Sequence, residues 1–154
     1  VLRIAWDDYH DMVRVLGNKI RSKIKPGEDG KIHIIGLPRG GTLVALHLTY
    51  MFEEFYAHFD AFKTAHSLTC EHTVIIDDVL ETGKTRVKLM NIHNASSIGM
   101  FAVLVDKSFL YTTSPSDVSI MRLESKIWVE FPYEREDDPK EIKSREERGY
   151  EADG

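Results

Sequence analysis

Two short apolar runs rich in β-branched residues, Ile32 to Leu37 and Thr73 to Ile76, each pass through a polar turn into a stretch of helical periodicity. No other feature constrains the fold as much. A strand with one wet face alternates apolar and polar residues, whereas a continuously apolar strand is covered on both faces. Strand, turn and helix in repeated order build a parallel sheet between helical layers. The expected fold is therefore an open α/β domain with a mainly parallel sheet and helices on both faces. At 154 residues the chain has the length of one domain whose core needs neither disulfides nor structural metals.

Ahead of the first run, Trp6, Tyr9, Val13, Leu16, Ile20 and Ile24 recur at spacings of three and four. That spacing puts them on one stripe of a helix with Asp7 and Asp8 near its positive end. The cluster Lys25-Pro26-Gly27-Glu28-Asp29-Gly30 ends this helix. Pro38-Arg39-Gly40-Gly41 then breaks the first strand, and Thr42 is placed to cap a helix carrying Leu43, Val44, Leu48, Met51, Phe52 and Phe55. The second run ends at Asp77-Asp78 and leads through a loop to Gly83 and a helical stretch with Val87, Leu89 and Met90. Ile98 to Val105 reads as a third core strand, Lys126 to Phe131 as a fourth, and Tyr56 to Phe62 as a strand or an aromatic flap. Residues 1–133 form the domain. In residues 134–154, Ile142 and Tyr150 stand almost alone among charges, which predicts a mobile or loosely helical tail.

The net charge of −5 opposes attraction to a phosphate backbone, so nucleic acid is not expected as a partner. Nine acids and five bases fall in residues 134–154, which gives that segment −4 and leaves −1 for the rest. Cys70 is the only cysteine, so no intrachain disulfide can form and a reducing compartment is expected. With no apolar run of membrane-spanning length and no charged-then-apolar leader, the expectation is a cytoplasmic protein without a membrane partner. His58, His66 and His72 lack metal-ligand spacing, and His33 and His47 are expected to satisfy local hydrogen bonds.

In open α/β sheets, ligands bind beyond the carboxyl ends of the strands, where both punctuated loops of this chain fall. After Ile76, two acids precede a turn in which Thr82, Gly83, Lys84 and Thr85 can aim backbone N–H groups and hydroxyls at one anion. Asp77 and Asp78 suit the hydroxyls of a sugar carrying that phosphate, or a magnesium ion accompanying a polyphosphate. Gly83-Lys84-Thr85 supplies the ending of a nucleoside-triphosphate loop, but the glycine which that motif needs five positions earlier is Asp78.

The segment Val74-Ile75-Ile76-Asp77-Asp78-Val79-Leu80-Glu81-Thr82-Gly83-Lys84-Thr85 resembles the phosphoribosyl pyrophosphate (PRPP) motif of type I phosphoribosyltransferases. Leu37-Pro38-Arg39-Gly40-Gly41 is similar to that family's pyrophosphate loop, and Trp128-Val129-Glu130-Phe131-Pro132-Tyr133 to the closing segment of bacterial xanthine-guanine phosphoribosyltransferases. The resemblance covers residues 1 to about 134 and implies a Rossmann-like core with a small hood. It implies a magnesium-dependent purine salvage enzyme that joins guanine, xanthine or hypoxanthine to PRPP, and a dimer or tetramer.

By that likeness Arg39, with Pro38, Gly40 and Gly41, binds pyrophosphate. Asp77 and Asp78 fix the ribose hydroxyls and the metal, and Thr82 to Thr85 hold the 5′-phosphate. Lys107 donates to the purine O6, Trp128 stacks on the ring, and the Val129 carbonyl accepts from its N–H edge. Glu81 stands where the subfamily commonly has aspartate, as the base near purine N7. Only Lys63 to Glu71 stands where the family has a long closing loop, and Ser-Tyr is not found there. Two further readings fit the same residues: a PRPP- or nucleotide-binding regulatory module without catalysis, and a phosphoribosyltransferase for a non-purine acceptor.

Overall fold

The computed structural model describes residues 1–58, 70–81, 98–107, 118–124 and 126–134, with Lys143, Glu146 and Glu147. In chain order the elements are β1 (Leu2–Arg3), α1 (Trp6–Lys23), β2 (Ile32–Gly36), α2 (Gly40–Met51), β3 (Phe55–His58), β4 (Cys70–Leu80), β5 (Ile98–Asp106), β6 (Val118–Arg122) and β7 (Val129–Glu130). Five strands form one sheet in the order β3-β2-β4-β5-β6, with every neighbouring pair parallel. β1 and β7 form a separate parallel pair, Leu2 beside Val129 and Arg3 beside Glu130.

The apolar runs do what their continuity requires. Ile34, Val74, Ile76, Met100, Ala102 and Leu104 face a core shared with α1 and α2, while the alternate residues Ile35, Ile75, Phe101 and Val103 are buried on the opposite face. The helical stretch expected after Gly83 lies outside the described residues. α1 buries Tyr9, Met12, Val13, Leu16, Gly17 and Ile20, with Asp7 and Asp8 in its first turn and Arg21 and Lys23 in its last, the charge order its dipole favours. Gly30, at φ +74°, supplies the left-handed residue of the following turn.

Several boundaries differ from the sequence reading. Trp6 is 48% exposed, because the buried stripe begins one turn later at Tyr9. α2 starts at Gly40 with Arg39 in the capping position, so Thr42 lies inside the first turn instead of capping it. The helix stops at Met51. Phe52 closes it and Phe55 opens β3, the edge strand anticipated from Tyr56 onward. β4 continues through the two acids to Leu80, so Asp77 and Asp78 belong to the strand and not to a loop. The segment Lys126 to Phe131 contributes only the two-residue β7, which pairs with β1 and not with the core sheet. The fifth core strand is β6, which the sequence reading left unassigned. It is an edge strand with one neighbour and mostly half-buried side chains, so it lacks a continuous apolar run.

Gly17 lies where α1 meets Phe52, and a Cβ there would run into the Phe52 ring. That ring is held edge-on to Phe55 at 5.5 Å, with the Arg21 guanidinium 5.0 Å from its centre. Alanine gains about 1 kcal/mol of helix propensity over glycine, whereas overpacking costs about 1–3 kcal/mol. Gly17→Ala is therefore expected to lower stability by about 1 kcal/mol net in urea titration. A gain would show that Phe52 yields freely.

Candidate active site

From β2 the chain moves to β3 on one side and later enters β4 on the other, so the strand order reverses between β2 and β4. Crevices at such reversals, beyond the strand carboxyl ends, are where open α/β sheets take ligands. The residues following β2, β4 and β5 all meet at this end.

The loop after β2 is drawn tightly onto β4. The Leu37 N–H donates to the Ile76 carbonyl at 2.9 Å, and the Thr42 N–H donates back to the Leu37 carbonyl at 3.1 Å. The Pro38–Arg39 peptide is cis. A Cβ on Gly41 would stand 2.5 Å from the Ile76 carbonyl oxygen and 3.0 Å from the Asp77 Cα. A Cβ on Gly40 would overlap the Asp78 carboxylate. The two glycines are what let the Arg39 loop lie directly against the paired acids.

Asp77 and Asp78 interrupt the period-two alternation of β4: Ile76 and Val79 both pack toward the α1/α2 core, while Ile75 and Leu80 pack on the opposite face, and the two carboxyl groups lie within reach of each other. The Asp78 N–H donates to Asp77 Oδ1 at 2.9 Å, and the Val79 N–H donates to Asp78 Oδ1 at 2.8 Å. The second Asp78 oxygen, Oδ2, accepts from the Tyr133 hydroxyl at 2.9 Å. Desolvation, then the Asp78 charge, pushes the Asp77 carboxyl well above the usual carboxylate range.

The folded protein thus holds the Asp77 proton more tightly than the unfolded chain does. This contribution to stability is full at acid pH, below the unfolded value, and is lost as pH rises toward the native value. Asp77→Asn keeps an acceptor for the Asp78 N–H. It is expected to stabilise the metal-free protein at neutral pH by about 1 kcal/mol, and to flatten the fall in stability above about pH 4. Thermal melts across pH check this. A less stable variant at pH 7 would contradict it.

One strand further along, the Lys107 N–H donates to the Leu80 carbonyl at 2.7 Å. The Lys107 side chain is buried, at 1% exposure, and its Nζ lies 3.2 Å from Glu81 Oε1. The expected oxopurine donor and the expected base are therefore brought together as an ion pair. Trp128 and Val129 are both buried. The Trp128 and Glu130 carbonyls accept from the Leu2 and Ile4 N–H groups at 2.8 and 2.9 Å, so alternation along β7 turns the Val129 carbonyl away from β1. Thr82, Gly83, Lys84 and Thr85 lie outside the described residues, as does most of the short segment Lys63 to Glu71.

The sequence reading gave Tyr133 no role at this site. Its signal was present in the closing segment, where an aromatic follows Pro132 just as the apolar residues run out. His33 and His47 make the local hydrogen bonds expected of them. His33 bonds Asp29 Oδ2 at 2.8 Å and His58 at 2.9 Å, and His47 bonds the Tyr9 hydroxyl at 2.7 Å.

A five-stranded parallel sheet with these loops at its switch point is the fold of the type I phosphoribosyltransferases. Within that class it is similar to a purine phosphoribosyltransferase of Pyrococcus horikoshii, with a TM-score of 0.64 and 23% identity over 87% of this chain and 94% of the other. It is also similar to the xanthine-guanine-hypoxanthine phosphoribosyltransferase of Helicobacter pylori, with a TM-score of 0.61 and 13% identity over 93% and 98% of the two chains. A hypothetical protein of Neisseria gonorrhoeae with bound ppGpp matches with a TM-score of 0.63 and 18% identity over 95% and 97%. No protein-family model matches the chain, and no curated protein matches it. Among the described residues, no helix is long and apolar enough to cross a membrane.

Proposed function

We propose that the chain is a purine phosphoribosyltransferase that transfers phosphoribosyl from PRPP to guanine, xanthine or hypoxanthine, giving the nucleoside monophosphate and pyrophosphate. The observation that carries this reading is the contact of the Arg39 loop with Asp77 and Asp78 at the switch point, with Lys107 one strand away. Displacement at the anomeric carbon passes through an oxocarbenium-like state, so charge must be stabilised on both fragments while the base is held in line. The Arg39 guanidinium and the loop amides receive the departing pyrophosphate. Asp78, held by Tyr133 and its own backbone, accepts from the ribose hydroxyls. Lys107 donates to O6, which an adenine amino group cannot accept. The Val129 carbonyl accepts from the purine N–H edge, Trp128 packs along the ring, and Glu81 takes the N7 proton as the glycosidic bond forms.

Asp77 and Asp78 fit magnesium. They form an all-oxygen pair in which burial and the neighbouring charge push the Asp77 carboxyl well above the usual carboxylate range, a cost that a cation relieves. When bound, the metal supplies charge neutralisation for the pyrophosphate oxygens. Incubation with PRPP, magnesium and each radiolabelled purine tests the assignment. Nucleotide formation with at least one oxopurine is expected, and no product with any of them overturns it.

A second reading has its own support. Glu81 is engaged by Lys107, and the similar Neisseria gonorrhoeae protein carries ppGpp. A module that binds PRPP or a guanine nucleotide without turnover would keep this pair closed. Calorimetry with PRPP and with GMP, run beside the assay, separates the two readings, since binding without product favours the module.

A further inference from the structure

We propose that Tyr133 is the positioning residue for Asp78, so that the closing segment sets the sugar side of the site as well as the base side. The inference rests on the assignment of Asp78 to the ribose, and it goes beyond the roles given to Trp128 and Val129.

The placement of the phenol is built into the local sequence. Phe131-Pro132-Tyr133-Glu134 is a four-residue turn in which the Glu134 N–H donates to the Phe131 carbonyl at 3.0 Å. Pro132 occupies the second position, where its fixed φ favours the turn, and Tyr133 takes the third. The Glu134 carboxylate accepts from the Phe131 N–H at 2.7 Å and locks the turn from the other side. The Tyr133 ring then lies parallel to Phe131, at 5.4 Å and 2°, while Tyr9 meets it edge-on at 5.5 Å and 75°. Phe131 is 1% exposed and Tyr9 is fully buried, and Tyr9 is itself fastened to His47 at 2.7 Å. Packing therefore leaves the ring of Tyr133 little freedom, and its hydroxyl arrives 2.9 Å from Asp78 Oδ2.

Gly40 closes on the same oxygen from beside the phenol: its Cβ, if it had one, would overlap Oδ2 and come within 3.0 Å of the Tyr133 oxygen. Asp78 Oδ2 is thus held by a phenol that donates to it and crowded by the glycine loop next to that phenol, so the hydrogen bond is what keeps the carboxylate in so tight a place. A hydrogen bond to a charged acceptor is among the stronger kinds, and it fixes direction as well as distance.

Tyr133→Phe removes the hydroxyl and leaves the ring between Phe131 and Tyr9. The expected result is a rise of about ten-fold in KM for PRPP, with KM for the purine changed less than about two-fold and the melting temperature little altered. In an Asp78→Asn background the same substitution should add almost nothing, since the pair acts as a unit. Equal losses toward both substrates, full additivity with Asp78→Asn, or an unchanged KM for PRPP would each overturn the proposal. If the unmodified protein makes no nucleotide, the enzymatic assignment fails, and the positioning role is decided by crystal structures of the two proteins. The Asp78 carboxylate should leave its place against Gly40 in Tyr133→Phe, and an unmoved carboxylate refutes the role.

Discussion

Gly40→Ala is expected to reduce kcat/KM for PRPP by about 100-fold in a protein that still folds. The methyl group would occupy the space of the Asp78 carboxylate, so either Asp78 rotates off Tyr133 or the Arg39 loop lifts from β4. On the proposed function both movements separate the groups that hold the sugar and the departing pyrophosphate together, and a misplacement of about 1 Å at a reacting centre costs about two orders of magnitude. The stability change should be smaller, about 1–3 kcal/mol from overpacking, because the loop lies at the mouth of the crevice and not in the core. Steady-state kinetics beside a urea titration check both parts. Retention of more than about half the activity would show that neither group needs its observed position.

Removing the Lys107 side chain should have the larger effect on the base side. Lys107→Ala is expected to lower kcat/KM for guanine and hypoxanthine by about 1,000-fold, as befits loss of a charged donor in a water-excluded site. It should also lower stability by about 2 kcal/mol. Truncating one member of a buried pair costs more when the survivor stays buried, but the Glu81 side chain retains 26% exposure and can turn toward water, which places the cost at the low end. Lys107→Arg should not restore activity, because the planar guanidinium is wider than an ammonium and cannot reuse its space. Kinetics with each purine, normalised to the folded fraction, decide the matter. A loss no larger than the loss of folded protein would leave Lys107 a structural residue.

Much of this architecture could be read from the chain because its strands obey a simple rule. Ile34 to Gly36 and Val74 to Ile76 are apolar at consecutive positions, and only a sheet buried on both faces has a use for that pattern. The α1 stripe was equally legible from its spacing, although Trp6 at its start shows that periodicity says nothing about where a covering partner begins. What stayed hidden was set by tertiary partners. Whether β4 stops at Asp77 or runs on to Leu80 depends on β5 beside it, which pairs Val79 with Val105 and Leu80 with Asp106. β6 carries only half-buried or exposed side chains beyond Val118, and β7 draws its partner from the other end of the chain.

The site divides in the same way. Gly40, Gly41, Asp77, Asp78 and Lys107 were visible as residue types with specific chemistry at strand ends. The pairing of Lys107 with Glu81, and the bond from Tyr133 to Asp78, join positions 26 and 55 residues apart, and local pattern carries no information about such distances.

The pairing of β7 with β1 has a consequence for biosynthesis. While the polypeptide is being made, the floor of the crevice, from β2 through β5, can gather as soon as those strands have left the ribosome. Leu2 and Ile4 must wait for Trp128 and Glu130 before their N–H groups find these acceptors. β7 and the Tyr133 phenol that donates to Asp78 arrive together in that final step, so a truncated translation product has the Arg39 loop against the paired acids but lacks the donor that meets Asp78 Oδ2.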